Sequence, residues 1–150
     1  MPETVVKNKF DFSLIDLPRV ATELLDRANG QRLWLFYGNL GAGKTTLIKE
    51  LCKRLGVHEK SMSSPTYSII NEYHTASGTV FHFDFYRMKS ELEIIDLGIE
   101  EYFDPENYCF IEWPERLGAL MPSHYFKILI TEYSTESSTE NRTIEYQNHV

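Results

Sequence analysis

Leu33-Trp34-Leu35-Phe36-Tyr37 is apolar and strand-forming, and it runs directly into Gly38-Asn39-Leu40-Gly41-Ala42-Gly43-Lys44-Thr45. The second segment fits G-x-x-x-x-G-K-[ST], the phosphate-binding loop pattern. Leu47, Ile48, Leu51, Cys52 and Leu55 then recur at helical spacing, and Gly56 stops the pattern. Strand, glycine loop and helix is the context in which the pattern carries chemistry. Glycines let successive N–H groups turn inward around an anion. The helix adds unpaired N-terminal donors and the positive end of its dipole. A lysine at position 44 reaches β- and γ-phosphates, and a threonine hydroxyl at 45 suits Mg²⁺. The loop amides and side chains from Asn39, Leu40, Gly41, Ala42, Gly43, Lys44, Thr45 and Thr46 are the candidate nucleotide contacts.

Bulk composition narrows the setting. At 150 residues, 42% hydrophobic and 25% charged, the chain has the profile of one globular domain. A net charge of −7 argues against a surface that grips a nucleic acid by itself, so such a role would run through a partner. Two cysteines with no C-x-x-C spacing fit packed thiols in a reducing compartment. The sequence shows no apolar leader and no long apolar run, so the expected location is the cytoplasm, with no membrane contact.

Residues 5–12 suggest a first strand. They contain Asn8-Lys9-Phe10-Asp11, a match to the N-K-x-D guanine-reading pattern. In guanine-reading proteins that motif follows the phosphate loop; here it precedes it, and an exposed edge strand is expected instead. Asp16 is expected to cap a helix that carries Pro18 in its first turn and ends at Asn29-Gly30. Two strands near 67–74 and 79–85, joined by Thr75-Ala76-Ser77-Gly78, give a hairpin signal. Ser90 and Glu93 suggest a capping box for a helix to about Leu97 that Gly98 interrupts. Tyr108–Ile111 is a short strand delivering Glu112, Pro114 opens a brief helix to about Leu120, and 124–133 with 143–147 suggest a terminal hairpin. Ser134–Arg142, rich in Ser, Thr and Glu, has the composition of a solvated loop. Alternating strands and helices predict an α/β sheet with helices on both faces, made mixed by the hairpins.

Hydrolysis of a nucleoside triphosphate needs carboxylates beside the phosphate cradle. Glu112 ends an apolar strand, where a second metal-site acid commonly stands; its alternative is a solvent-facing strand end. In Phe81-His82-Phe83-Asp84-Phe85, period two puts three phenylalanines on the core face and His82 with Asp84 on the other. That polar face looks either into the nucleotide site, with His82 orienting Asp84, or toward solvent. Arg87 serves either a phosphate or, as the favoured reading, a carboxylate partner. Trp113 reads as packing rather than nucleotide stacking.

Gly38–Thr46, Ser64-Pro65-Thr66-Tyr67, His82–Arg87 and Ile111-Glu112-Trp113-Pro114-Glu115 occur in that order. With Leu97-Gly98-Ile99, this set closely resembles the bacterial TsaE family, small ATPases needed for threonylcarbamoyladenosine formation in tRNA, over about residues 10–133. The resemblance implies a P-loop NTPase-like three-layer α/β domain spanning 1–150. Its sheet would be mixed and mainly parallel at the centre, and 134–150 would form a C-terminal hairpin or tail. It implies ATP and Mg²⁺, and action on the TsaD–TsaB complex, with tRNA contacted mainly through those partners. By position, Lys44, Asp84 and Glu112 would serve catalysis, and Thr45, Asp84 and Glu112 the metal. Ser64, Pro65, Thr66 and Tyr67 would form a switch loop. Adenine contacts are expected near 10–16, and the resemblance carries no function for the segment from about Ser134. The implied activity is ATP hydrolysis, weak alone and dependent on partners for its role. Two other classes stay open: an ATP-gated non-catalytic adaptor and a stand-alone small-molecule kinase.

Overall fold

The computed structural model describes residues 8–62, 68–133 and 141–149. Ten principal elements follow in order. They are β1 (Asn8–Phe12), α1 (Leu17–Arg27), β2 (Leu33–Tyr37), α2 (Lys44–Arg54), β3 (Ile70–Thr75), β4 (Gly78–Asp84), α3 (Glu91–Asp96), β5 (Tyr108–Glu112), β6 (Tyr125–Tyr133) and β7 (Asn141–His149). Short 3₁₀ turns occupy Leu14–Asp16, Glu59–Met62, Ile99–Tyr102 and Pro114–Leu120.

The seven strands form one sheet in the order β1-β7-β6-β2-β5-β4-β3. The four central strands, β6, β2, β5 and β4, run parallel. The antiparallel pairs β1–β7, β6–β7 and β3–β4 flank them. The sheet is therefore mixed with a parallel centre, and β6–β7 is the expected terminal hairpin. β1 is the expected edge strand. After β2 the chain builds one side of the sheet through β4 and β5, then crosses β2 to place β6 on the other. This reversal creates a crevice at the carboxyl end of β2, the usual ligand position in open α/β sheets.

Period-two alternation sends β2 into two cores. Trp34 and Phe36 face α1 and α2, where Val20, Leu24, Leu47, Ile48 and Leu51 are fully buried. Leu35 faces the opposite layer with Phe83, Phe85, Ile94, Ile111 and Leu117. Burial of both sheet faces explains why β2 reads as a continuous apolar run. Cys52 and Cys109 are free and buried, one in each core. Burial pushes the Cys52 thiol up to about 12 and raises that of Cys109 as well, which suits packing rather than reactivity.

Local expectations are corrected at several turns. Asp16 does not cap α1 with its side chain; its Oδ2 accepts from the Ser13 N–H at 3.1 Å and Oγ–H at 3.3 Å, closing the preceding 3₁₀ turn. The Ser90–Glu93 box is not made: Glu93 Oε2 accepts from the Lys89 N–H at 3.2 Å, one residue before the cap. Thr75 and Gly78 pair in register, so Ala76-Ser77 alone turn the β3–β4 hairpin. Gly98 does interrupt the helix, at φ 67°.

Gly38 stands where no side chain fits. A Cβ there would lie 2.7 Å from the Ile130 carbonyl oxygen, a backbone atom on β6. Because β2 and β6 are locked by pairing, Gly38→Ala is expected to destabilise the fold by about 1–3 kcal/mol, as over-packing does. Urea unfolding without nucleotide measures it; an unchanged midpoint would contradict the close approach.

Candidate nucleotide site

The carboxyl ends of β2, β5 and β4 open at one end of the sheet. Register aligns Phe36 with Glu112 and Glu112 with Asp84, so both acids stand at one residue level, two residues before the loop's start at Gly38. The loop from Gly38 then turns into α2. Gly43 takes φ 107° at the helix N-cap, a conformation glycine adopts without a Cβ clash. Leu47 N–H makes the helical bond to Gly43 O at 3.0 Å, leaving the first-turn N–H groups of α2 without partners inside the helix. Those donors make the anion cradle.

A cleft of about 320 Å³ lies over this end. Leu40, Gly41, Gly43, Lys44, Thr45, Thr46, Asp84 and Glu112 line it, with Leu14, Tyr86, Trp113 and Arg142 completing the wall. Two expected contacts are not in the wall. Asn39 is exposed and its carbonyl accepts from the Ala42 N–H at 3.0 Å, while Ala42 packs into the core. Ser64, Pro65, Thr66 and Tyr67, the expected switch loop, lie outside the described residues. A larger hollow of about 600 Å³ sits at the opposite end of the sheet, beside Arg32, Leu33 and His124, away from the loop and both acids.

The polar side chains converge in a chain of hydrogen bonds. Thr45 Oγ1–H points at the Glu112 carboxylate, 2.9 and 3.0 Å from its two oxygens. His82 Nε2 is 2.6 Å from Glu112 Oε2. An ionised carboxylate only accepts, so the imidazole donates at Nε2. Glu112 is 3% exposed, which sets aside the solvent-facing alternative. His82 holds Glu112 rather than Asp84, a correction that follows from the sheet: both residues point toward the α2 face on neighbouring strands. Asp84 accepts the Tyr86 N–H at Oδ1, 3.0 Å away, in an Asx-type turn at the strand end.

Lys44 is 4% exposed. Its Nζ donates to Gly38 O at 2.5 Å and sits 3.8 Å above the Trp113 ring, a cation–π contact. Burial lowers its pKa, and the Glu112, Glu115 and Asp84 carboxylates oppose that shift. Trp113 packs against Tyr86 at 5.0 Å between ring centroids and lies under the lysine, in the wall of the cleft. Trp113 follows Glu112 with a left-handed backbone at φ 59°; it packs against the Leu35–Phe83 core and also lines the cleft. Arg142 is the wall residue that sequence patterning passed over, since it closes a run with loop composition. The β6–β7 register, Arg142 against Glu132, brings it to the cleft.

The donor set is one hydroxyl and two carboxylates. These are hard oxygen ligands of the kind Mg²⁺ uses alongside phosphate oxygens and water, so Thr45, Asp84 and Glu112 fit that ion.

Comparison with known proteins agrees with this architecture. The family model described as "Threonylcarbamoyl adenosine biosynthesis protein TsaE" matches residues 13–144. A Haemophilus influenzae protein named tRNA threonylcarbamoyladenosine biosynthesis protein TsaE is 32% identical over 132 residues, covering 87% of this chain and 83% of that one. A Bacillus subtilis protein of the same name is 40% identical over 93 residues, covering 62% of this chain and 57% of its own. The crystal structure of Bacillus subtilis YdiB superposes with a TM-score of 0.68 at 22% identity, over 97% of this chain and 88% of that one, and shows the same fold.

Proposed function

Since this chain belongs to the TsaE family and so to tRNA threonylcarbamoyladenosine biosynthesis, we propose that it is a Mg²⁺-dependent ATPase. In this reading it acts in the cytoplasm on the TsaD–TsaB complex, and ATP hydrolysis supports that complex's turnover on the tRNA adenosine beside the anticodon. The observation that carries the reading is the Thr45–Glu112–His82 hydrogen-bonded chain set between the phosphate loop and Asp84.

Each residue has a physical task. The first-turn amides of α2 and the Lys44 ammonium meet the phosphate charge. To reach it, Lys44 exchanges its contacts with Gly38 O and Trp113 for phosphate oxygens. Thr45, Glu112 and Asp84 would hold Mg²⁺, which when bound supplies positive charge to the phosphate oxygens. His82, buried behind Glu112, fixes that carboxylate's orientation, much as outer-shell partners orient metal ligands. Asp84 spends one oxygen on the Tyr86 N–H. Its other oxygen makes no hydrogen bond among the described residues and is suited to accept from the attacking water. The acidic net charge fits a protein that leaves RNA contact to its partners.

Phosphate release from Mg–ATP tests the proposal. Slow release by the chain alone, faster with TsaD–TsaB and lost when EDTA removes the metal, is expected. No release under any of these conditions would leave the chain a nucleotide-gated adaptor; transfer of phosphate to a metabolite rather than water would make it a kinase.

A further inference from the structure

Arg142 opens β7 at the rim of the nucleotide cleft, on the β6 side of the loop, whereas Glu112 and Asp84 stand on the β5–β4 side. Its side chain is 12% exposed, and its Nη1 is buried with no hydrogen-bond partner among the described residues. Its Nη2 reaches Glu132 Oε1 only at 3.7 Å, and Glu132 is itself half exposed. A buried guanidinium donor without an acceptor is costly and calls for an explanation. The guanidinium also packs on Gly43: a Cβ there would sit 3.4 Å from Arg142 Nε, which places the arginine beside the first-turn amides of α2.

The cleft is thus polarised, with a cation on one flank, Lys44 at the centre and two acids on the other. A phosphate chain lying across it would have its metal-bearing end toward the acids and its remaining end toward Arg142. We propose that Arg142 binds the phosphate chain of the nucleotide at the end away from the metal, its unpaired Nη1 donating to a phosphate oxygen. The inference rests on the nucleotide-binding role proposed for the loop. Arginine suits the task, because its planar fork presents fixed donors to phosphate.

Titration calorimetry of the full chain with Mg–ATP, Mg–ADP and Mg–tripolyphosphate tests it. Arg142→Gln is expected to weaken all three by about tenfold or more, the size of a charge-assisted hydrogen bond. Arg142→Lys, which keeps the charge and the packing stem, is expected to lie between Arg142→Gln and the native protein, and remains informative if the glutamine variant fails to fold. Glu132→Gln breaks the same ion pair from the other side and is expected to bind within about twofold of the native protein. Native-like binding by both arginine variants overturns the inference. So does a loss confined to ATP and ADP, which would assign Arg142 to the base, or an equal loss in Glu132→Gln, which would make it a strand-pairing residue. If the native protein binds none of the three, the role of the loop itself fails.

Discussion

Lys44→Ala is expected to lower Mg–ATP affinity by about a hundredfold or more while leaving the chain folded. The ammonium is the central cation of the cleft and is held almost out of water. Hydrogen bonds to charged groups contribute about 1.5–3 kcal/mol each, and two such bonds to phosphate oxygens account for the loss. The fold tolerates the change because two effects oppose each other. Alanine leaves Gly38 O without its lysine donor, but it also removes a charge whose burial is unfavourable, as the lowered Lys44 pKa records. Calorimetry with Mg–ATP and a urea unfolding curve read the two quantities separately. Affinity within about threefold of native, with the fold intact, would remove Lys44 from phosphate binding.

Glu112→Gln is expected to cut ATP hydrolysis by about a hundredfold or more while ATP affinity stays within about tenfold. The substitution preserves shape. With its oxygen at the Oε2 position, the amide still accepts from both Thr45 and His82, so neither donor is orphaned. What is lost is the carboxylate charge that would help hold the metal and align it with Thr45. The contrast with Lys44→Ala is the point: one variant loses binding, the other loses chemistry. Parallel binding and phosphate-release assays check it, and equal loss of binding in both variants would sink the division of labour.

Much of this site was legible in the chain because its parts are local. Gly38–Thr45 is contiguous, and the periodicities on either side of it name their own strand and helix. Period two in 81–85 separated the phenylalanines from His82 and Asp84. The apolar run before Glu112 pointed to the short strand that delivers it. What escaped depends on which strands become neighbours. His82 meets Glu112 rather than Asp84 because β4 and β5 pair side by side, a fact no local window contains. Arg142 reaches the loop only because β7 folds back beside β6. Trp113 lines the cleft from a left-handed backbone that its residue type does not announce. The misplaced caps at Asp16 and Glu93 have a simpler cause: short acidic side chains near helix starts have several N–H groups within reach, and one residue decides which is taken.

The central claim is that ATP hydrolysis at this cleft, rather than ATP binding alone, drives the partner complex. Rounds of tRNA threonylcarbamoylation completed per TsaD–TsaB complex, in the presence of ATP and either the native chain or Glu112→Gln, test it most directly. The account predicts sustained rounds with the native chain and a stall near one round with Glu112→Gln, both proteins being saturated with ATP. Sustained rounds with a variant shown to bind but not hydrolyse ATP would contradict it.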